Sequence, residues 1–291
     1  MLVDIRDRLL ILSRIKGISR AKLHYLRKVD PYLLSIFSML PQEIESLLQI
    51  TPQKATSIVY QLQYIEDIKK SIRQDQLLAN IVTIEDETYP EILRNIPDAP
   101  LVLYTIGDIQ LLQDSLSLSV IGSRNPSKEA KPKLDHIITP LIKAGYVIIS
   151  GLAYGVDSLA HERALDYNGK TIAILGGGFR HIYPKANIPL CRQIARKGLI
   201  LSEYAPKTQP KKYHFPERNR IISGLGRGTL VVEAMERSGT LITVDQALEQ
   251  GKDIFAIPGS PLIKQTVGCN QLIQDGAKLV INANDIHGEW F

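Results

Sequence analysis

From residue 117 onward the chain alternates short aliphatic runs with amphipathic stretches, and this alternation constrains its fold more than any other feature. The runs are LSVIGS, YVIISG, TIAILG, GLILSEY, TLVVEA, DIFAIPG and KLVIN. Between them lie KPKLDHIITPLIKA, DSLAHERALDY, IPLCRQIARKG, ERNRIISGL, LITVDQALEQG and CNQLIQDGA. A strand covered on both faces loses the in-out alternation of an exposed sheet and reads as a continuous aliphatic run. Such strands, separated by helices, build a parallel sheet with helices on both sides. The expected fold class is therefore α/β, with an extended Rossmann-like, doubly wound, mostly parallel sheet over residues 117–291.

The first part of the chain reads differently. RDRLLILSRI, SRAKLHYLRKV, PYLLSIFSM, PQEIESLLQI and PQKATSIVYQLQYIEDIKKSI repeat their apolar residues at helical spacing, with Gly, Ser, Asp, Thr or Pro at the breaks. Residues 1–78 are thus expected to form a small all-α domain of SAM or helix-hairpin-helix type. Ile15-Lys16-Gly17-Ile18 looks like a helix-hairpin-helix turn, serving either packing or protein docking, or a phosphate contact. The second hairpin has Thr51 where glycine would be expected, and so reads as structural. Residues 79–116, with prolines at 90, 97 and 100, read as a connector ending in the short strand PLVLYTIG.

In an open parallel sheet, ligands bind beyond the carboxyl ends of the strands. Here those exits read GSRNPS, SGLAYGVD, GGGFRHIYPKAN, SEYAP leading to FPERNR, EAMERSGT and IPGSP. Glycine, serine, arginine and lysine collect on one rim. Glycines admit close backbone approach, helix N-termini carry partial positive charge, and hydroxyls donate, which together suit a phosphate. The net charge of +5 fits a polyanionic partner, and KTQPKKYHFPERNR concentrates five Lys/Arg against one Glu. Residues 1–30 hold eight Lys/Arg against three Asp/Glu.

Other chemistries fit poorly. Gly176-Gly177-Gly178-Phe179-Arg180-His181 puts histidine at the third glycine of a dinucleotide fingerprint, and NGKT precedes a strand where a P-loop follows one. Ser150-Gly151 and Ser238-Gly239 lack a nucleophile elbow. His161 reads as structural, one helical turn after Asp157. Glu233 is the most plausible acid on the rim, with holding Arg218 or Arg220 as its plainer role. Cys191 and Cys269 have no ligand-like neighbours, so neither a metal site nor a disulfide is expected. No apolar run approaches a membrane span, and MLVDIRDRLLILSR lacks a signal-peptide layout, so the expected location is cytoplasmic.

GSRNPS, SGLAYGVDSLAH, TIAILGGG with YPKAN, LSEY, FPERNRIISGL, LVVEA with SGTLIT, GKDIFAIPGSP and GCNQLI with GAKLV together closely resemble the DNA-processing protein A (DprA/Smf) family over about residues 115–280. The resemblance implies a protein of natural transformation that binds single-stranded DNA, protects it and loads the RecA recombinase, without catalysis or a cofactor. It implies a DNA pocket at the strand ends carrying Ser123, Arg124, Lys185, Arg218, Asn219, Arg220, Ser238 and Thr240, with Gly151, Gly155, Gly176 and Gly177 as its floor. It also implies a homodimer through the C-terminal region, where Leu272 and Ile273 would make the contact. The rival reading is a nucleotide-binding phosphoribohydrolase-like enzyme on a similar fold. Those enzymes carry PGGxGTxxE, and Ser238-Gly239-Thr240-Leu241-Ile242 has neither the double glycine nor the glutamate.

Overall fold

The computed structural model describes residues 4–290. Their elements, in chain order, are α1 (Ile5–Arg14), α2 (Arg20–Val29), α3 (Pro41–Leu48), α4 (Pro52–Gln63), α5 (Ile65–Gln76), β1 (Asn80–Thr83), α6 (Glu91–Arg94), β2 (Val102–Gly107), β3 (Ser117–Ile121), α7 (Ala130–Lys143) and β4 (Val147–Ser150). There follow α8 (Val156–Asp166), β5 (Thr171–Leu175), α9 (Ile188–Lys197), β6 (Leu199–Ser202), α10 (His214–Leu225), β7 (Gly228–Val231), α11 (Gly239–Glu249), β8 (Asp253–Ala256), α12 (Lys264–Gln274), β9 (Lys278–Leu279) and α13 (Asn284–His287). Contacts group the chain into two units, residues 1–87 with 101–103, and residues 88–100 with 104–291.

In the first unit, Asp4 caps α1 by accepting the Asp7 N–H at 2.7 Å, and Ser19 caps α2. Pro41 and Pro52 open α3 and α4, where a missing N–H costs nothing. Leu9, Leu12, Leu26, Ile44 and Ile58 form a buried core. The hairpin turn is held within the unit. Gly17 adopts φ +105°, and the Lys16 N–H and C=O are both held by the Gln61 amide, at 2.9 and 3.0 Å. Most of the basic residues of this stretch are likewise engaged. Arg6 pairs with Asp86, Arg14 with Asp75 and Arg27 with Glu85, while Arg8 and Lys22 donate to the carbonyls of Tyr32 and Leu48. Five of the eight cations of residues 1–30 are thus engaged inside the unit.

In the second unit the sheet runs β2-β6-β5-β4-β3-β7-β8-β9, and all of its pairs are parallel except β2 with β6. The winding reverses at β3, which has β4 on one side and β7 on the other. A topological switch point opens a crevice beyond the strand ends. GSRNPS leaves β3 at this place.

Strand β3 also shows how both faces are covered. Leu118 and Val120 enter a core with Leu134, Ile138, Val156 and Ala160 of α7 and α8. Ser117 and Ser119 point the other way, and their hydroxyls donate to the carbonyls of Leu225 and Ile222 at the end of α10, at 2.9 and 2.6 Å. A buried hydroxyl needs such a partner. These bonds fix α10 against the sheet, with its first turns at the rim. Among the described residues, no helix is long and apolar enough to cross a membrane.

Candidate nucleic-acid interface

The GSRNPS loop is clamped from both sides. Glu233, just after β7 and fully buried, accepts the Ser127 N–H at 2.8 Å and the Ser127 hydroxyl at 2.5 Å, and pairs with Lys133 at 3.4 Å. Its carbonyl accepts the Ser123 N–H at 2.8 Å. From the other side the Val156 N–H donates to the Ser123 carbonyl at 3.1 Å. Gly155 permits this approach with φ +76°, because a Cβ there would lie 2.3 Å from that carbonyl. Glu233 therefore holds neither Arg218 nor Arg220, as the sequence suggested, but braces the loop. What leaves the clamp is Arg124, whose side chain is exposed.

Arg124 borders three neighbouring cavities. The first, about 360 Å³, is also lined by Ser123, Asp157, Arg218, Asn219, Arg237, Ser238 and Thr240. The second, about 480 Å³, is lined by Tyr183, Lys211, Lys212, Phe215 and Asn219. The third, about 30 Å³, lies among Tyr154, Tyr183, Phe215 and Arg218. Tyr183 and Phe215 stand 5.6 Å apart between centroids, and Tyr154, Tyr183 and Tyr213 are exposed. Cations are thus interleaved with exposed rings along this surface.

Arg218 is only 4% exposed and forms the floor. It donates to the carbonyls of Ile174, at 2.8 Å, and Gly151. Burial pushes its guanidinium down to about 10, offset by the charge of Asp157, so it stays protonated at neutral pH. Asp157 accepts the N–H groups of Gly151 and Ala153 at 3.1 and 3.4 Å, and burial raises its carboxyl. The floor glycines make room for protein side chains. A Cβ at Gly151 would lie 1.7 Å from the Arg218 Nη1, one at Gly176 3.0 Å from the Phe215 ring, and one at Gly177 3.1 Å from Pro210.

Of the three arginines expected around one ligand, Arg124 and Arg218 share cavities. Arg220, two residues further along α10, instead binds Glu203 at 2.6 Å and Asp98 at 3.1 Å. Lys185 is exposed beside Pro184, and Asn187 ties its loop to the β4 exit through the Leu152 and Ala153 carbonyls. Ser238 and Thr240 stand at the start of α11, with the Ser238 hydroxyl oxygen buried and unpartnered among the described residues. Leu272 and Ile273 are half-buried on α12. Sequence reasoning did not assign Tyr154, Tyr183, Lys211, Lys212, Phe215 or Arg237 to the site. All six lie in the rim segments it quoted, and the aromatics set among basic residues were the signal.

His161 is fully buried with Nδ1 2.7 Å from the Thr171 hydroxyl, and burial pushes it down to about 3. Its folded value lies below the unfolded 6.5, so its stability contribution is complete above pH 6.5 and is lost as pH falls toward 3. A His161→Gln variant should lack this loss, which approaches 1.4 kcal/mol per pH unit well below pH 6.5. Urea midpoints of both proteins between pH 7 and 4 check this. Cys191 and Cys269 are buried and free, pushed up to about 11 and about 12 by burial, which keeps both thiols protonated.

A doubly wound sheet whose switch-point crevice presents a clamped, exposed arginine among aromatic rings and a helix N-terminus defines an α/β protein with a cationic, aromatic rim. Residues 80–290 match the model of the DNA recombination-mediator protein A family, and the chain belongs to that family. It is 48% identical over 208 residues to DNA processing protein DprA of Streptococcus pneumoniae, covering 72% of this chain and 73% of that protein. It is 44% identical over 210 residues to the Bacillus subtilis protein of the same name, covering 72% and 71%. The crystal structure of the S. pneumoniae protein covers 100% of this chain and 99% of its own, with a TM-score of 0.84 and 38% identity. A Helicobacter pylori DNA processing protein A, described for its unique single-stranded DNA binding mode, covers 72% of this chain and 95% of its own, with a TM-score of 0.65 and 32% identity.

Proposed function

We propose that this chain binds single-stranded DNA along the rim and performs no chemistry on it. The observation that carries this reading is Arg124, held out from a clamped loop where a cationic cavity meets an aromatic one. A phosphate on Arg124 lets a neighbouring base lie against Phe215 or Tyr183, with Lys211, Lys212 and Lys185 along the backbone's path. Ser123, Asn219, Ser238 and Thr240 supply hydrogen bonds, while Arg218 and the floor glycines hold the shape. Base–aromatic stacking tolerates any base, so sequence preference is slight. The single-strand binding described for the H. pylori relative supports the same reading.

A hydrolytic role draws no support from this geometry. Glu233, the acid that the sequence singled out on the rim, is fully buried and engaged with Ser127 and Lys133. The proposal extends to a cytoplasmic role in which the bound strand is protected and passed to RecA during natural transformation; the family's description as a recombination mediator supports the recombination part of it.

Anisotropy titrations with a labelled single strand and a duplex of equal length test the binding. The single strand should bind more tightly, and equal affinities would contradict the reading. The protein is further proposed to act as a homodimer through α12. Charging both Leu272 and Ile273 should give a folded monomer by light scattering, and a dimer surviving that change would remove the assignment.

A further inference from the structure

The two larger cavities that meet at Arg124 differ in chemistry. The 480 Å³ cavity is an aromatic and lysine-lined groove suited to a passing strand. The 360 Å³ cavity lies between the loops after β3, β4 and β7 and is bordered by the start of α11. Arg124, Arg237 and the opening residues of α11 give it a cationic end, and its lining also holds Asp157 and the apolar Ile121, Ile222 and Met235. At that end the Ser238 hydroxyl oxygen is buried with no hydrogen-bond partner among the described residues. Arg218, 96% buried by its 4% exposure, adds a fixed positive charge to the lining. A helix of eleven residues starting there aims its unbonded N–H groups and dipole at whatever fills this end.

Its volume falls within the range of small-ligand pockets. With Arg218 set against Asp157 in the same lining, Arg124 and Arg237 still bring two positive charges, more than the single negative charge of a diester. An internal phosphate of a strand carries one negative charge, whereas a phosphate monoester carries about −1.5 to −2 at pH 7 and an extra acceptor oxygen. We infer that this cavity is a receptor for a nucleoside phosphate monoester, either a free nucleotide or the phosphorylated end of a strand. The inference rests on the strand-binding reading of the rim, because Arg124 belongs to both cavities. A ligand here occupies Arg124 and therefore competes with, or terminates, a strand lying in the groove. Arg237 lines this cavity and not the other two that border Arg124.

The test uses the full chain and four probes in titration calorimetry and anisotropy: thymidine monophosphate, thymidine, and one oligothymidylate with either a 5′-phosphate or a 5′-hydroxyl. Thymidine monophosphate should bind and thymidine should not, or the 5′-phosphate should tighten oligonucleotide binding at least five-fold. Binding by the monophosphate alone marks free nucleotide as the source, and a gain by the oligonucleotide alone marks the strand end. Arg237→Ala should weaken monophosphate binding at least ten-fold, or abolish the gain from the 5′-phosphate, a larger loss than the 5′-hydroxyl oligonucleotide shows. If neither phosphate monoester gains anything, the inference fails, whatever the 5′-hydroxyl strand does. If only the 5′-hydroxyl strand fails to bind, the strand reading falls and the receptor remains.

Discussion

Arg218→Met is expected to destabilise the protein by about 3–5 kcal/mol, the cost of stripping one partner from a buried charge arrangement. Arg218 lies beneath the rim at 4% exposure, donating to the Ile174 and Gly151 carbonyls beside buried Asp157. Its removal leaves the carboxylate without the cation that favours its charge, and two carbonyls without a donor. Asp157→Asn in the same background should recover part of the loss, because a neutral amide does not need the guanidinium. Gly151→Ala should injure the same place from the other side, since its methyl would lie 1.7 Å from the Arg218 Nη1. Urea unfolding measures all three. A loss below about 1 kcal/mol for Arg218→Met would mean that Arg218 is a dispensable arm.

Arg124→Ala should do the opposite, leaving stability within about 0.5 kcal/mol and weakening single-strand binding about ten- to a hundred-fold. An exposed side chain outside the core carries little stability, whereas hydrogen bonds to a charged group are worth about 1.5–3 kcal/mol. The clamp on its backbone, through Glu233 and Val156, is untouched by the change. Phe215→Ala should couple to it by roughly 0.5–3 kcal/mol in a double-mutant cycle, as neighbours on one ligand do. Arg220→Ala should add independently, because its partners are Glu203 and Asp98. Binding that survives Arg124→Ala in a folded protein would remove the rim as the site.

The sheet was legible because strands buried on both faces leave continuous aliphatic runs, and the sequence runs fall on β3 to β9. Less legible was β2, whose antiparallel pairing with β6, Tyr104 opposite Ser202, depends on a long-range register that no local pattern encodes. The rim could be read from residue chemistry at the strand exits. Its division of labour could not. Arg124, Arg218 and Arg220 are the same residue type, yet one is exposed and two are buried. That difference comes from where α10 lands on the sheet, which the Ser117 and Ser119 hydroxyls fix. Glu233 was noticed as an acid at the rim, but its grip on Ser127 spans more than a hundred residues of chain.

The most direct test of single-strand binding at this rim is the salt dependence of affinity for one unlabelled-sequence oligonucleotide, compared among the parent protein, Arg124→Ala and Arg220→Ala. Each phosphate neutralised on a single strand contributes about −0.7 to the slope of log K against log salt. The parent should show a slope several times this value. Arg124→Ala should flatten it by about 0.7 and lower the affinity at every salt concentration, whereas Arg220→Ala should keep the parent slope. An unchanged slope and affinity for folded Arg124→Ala would contradict the account.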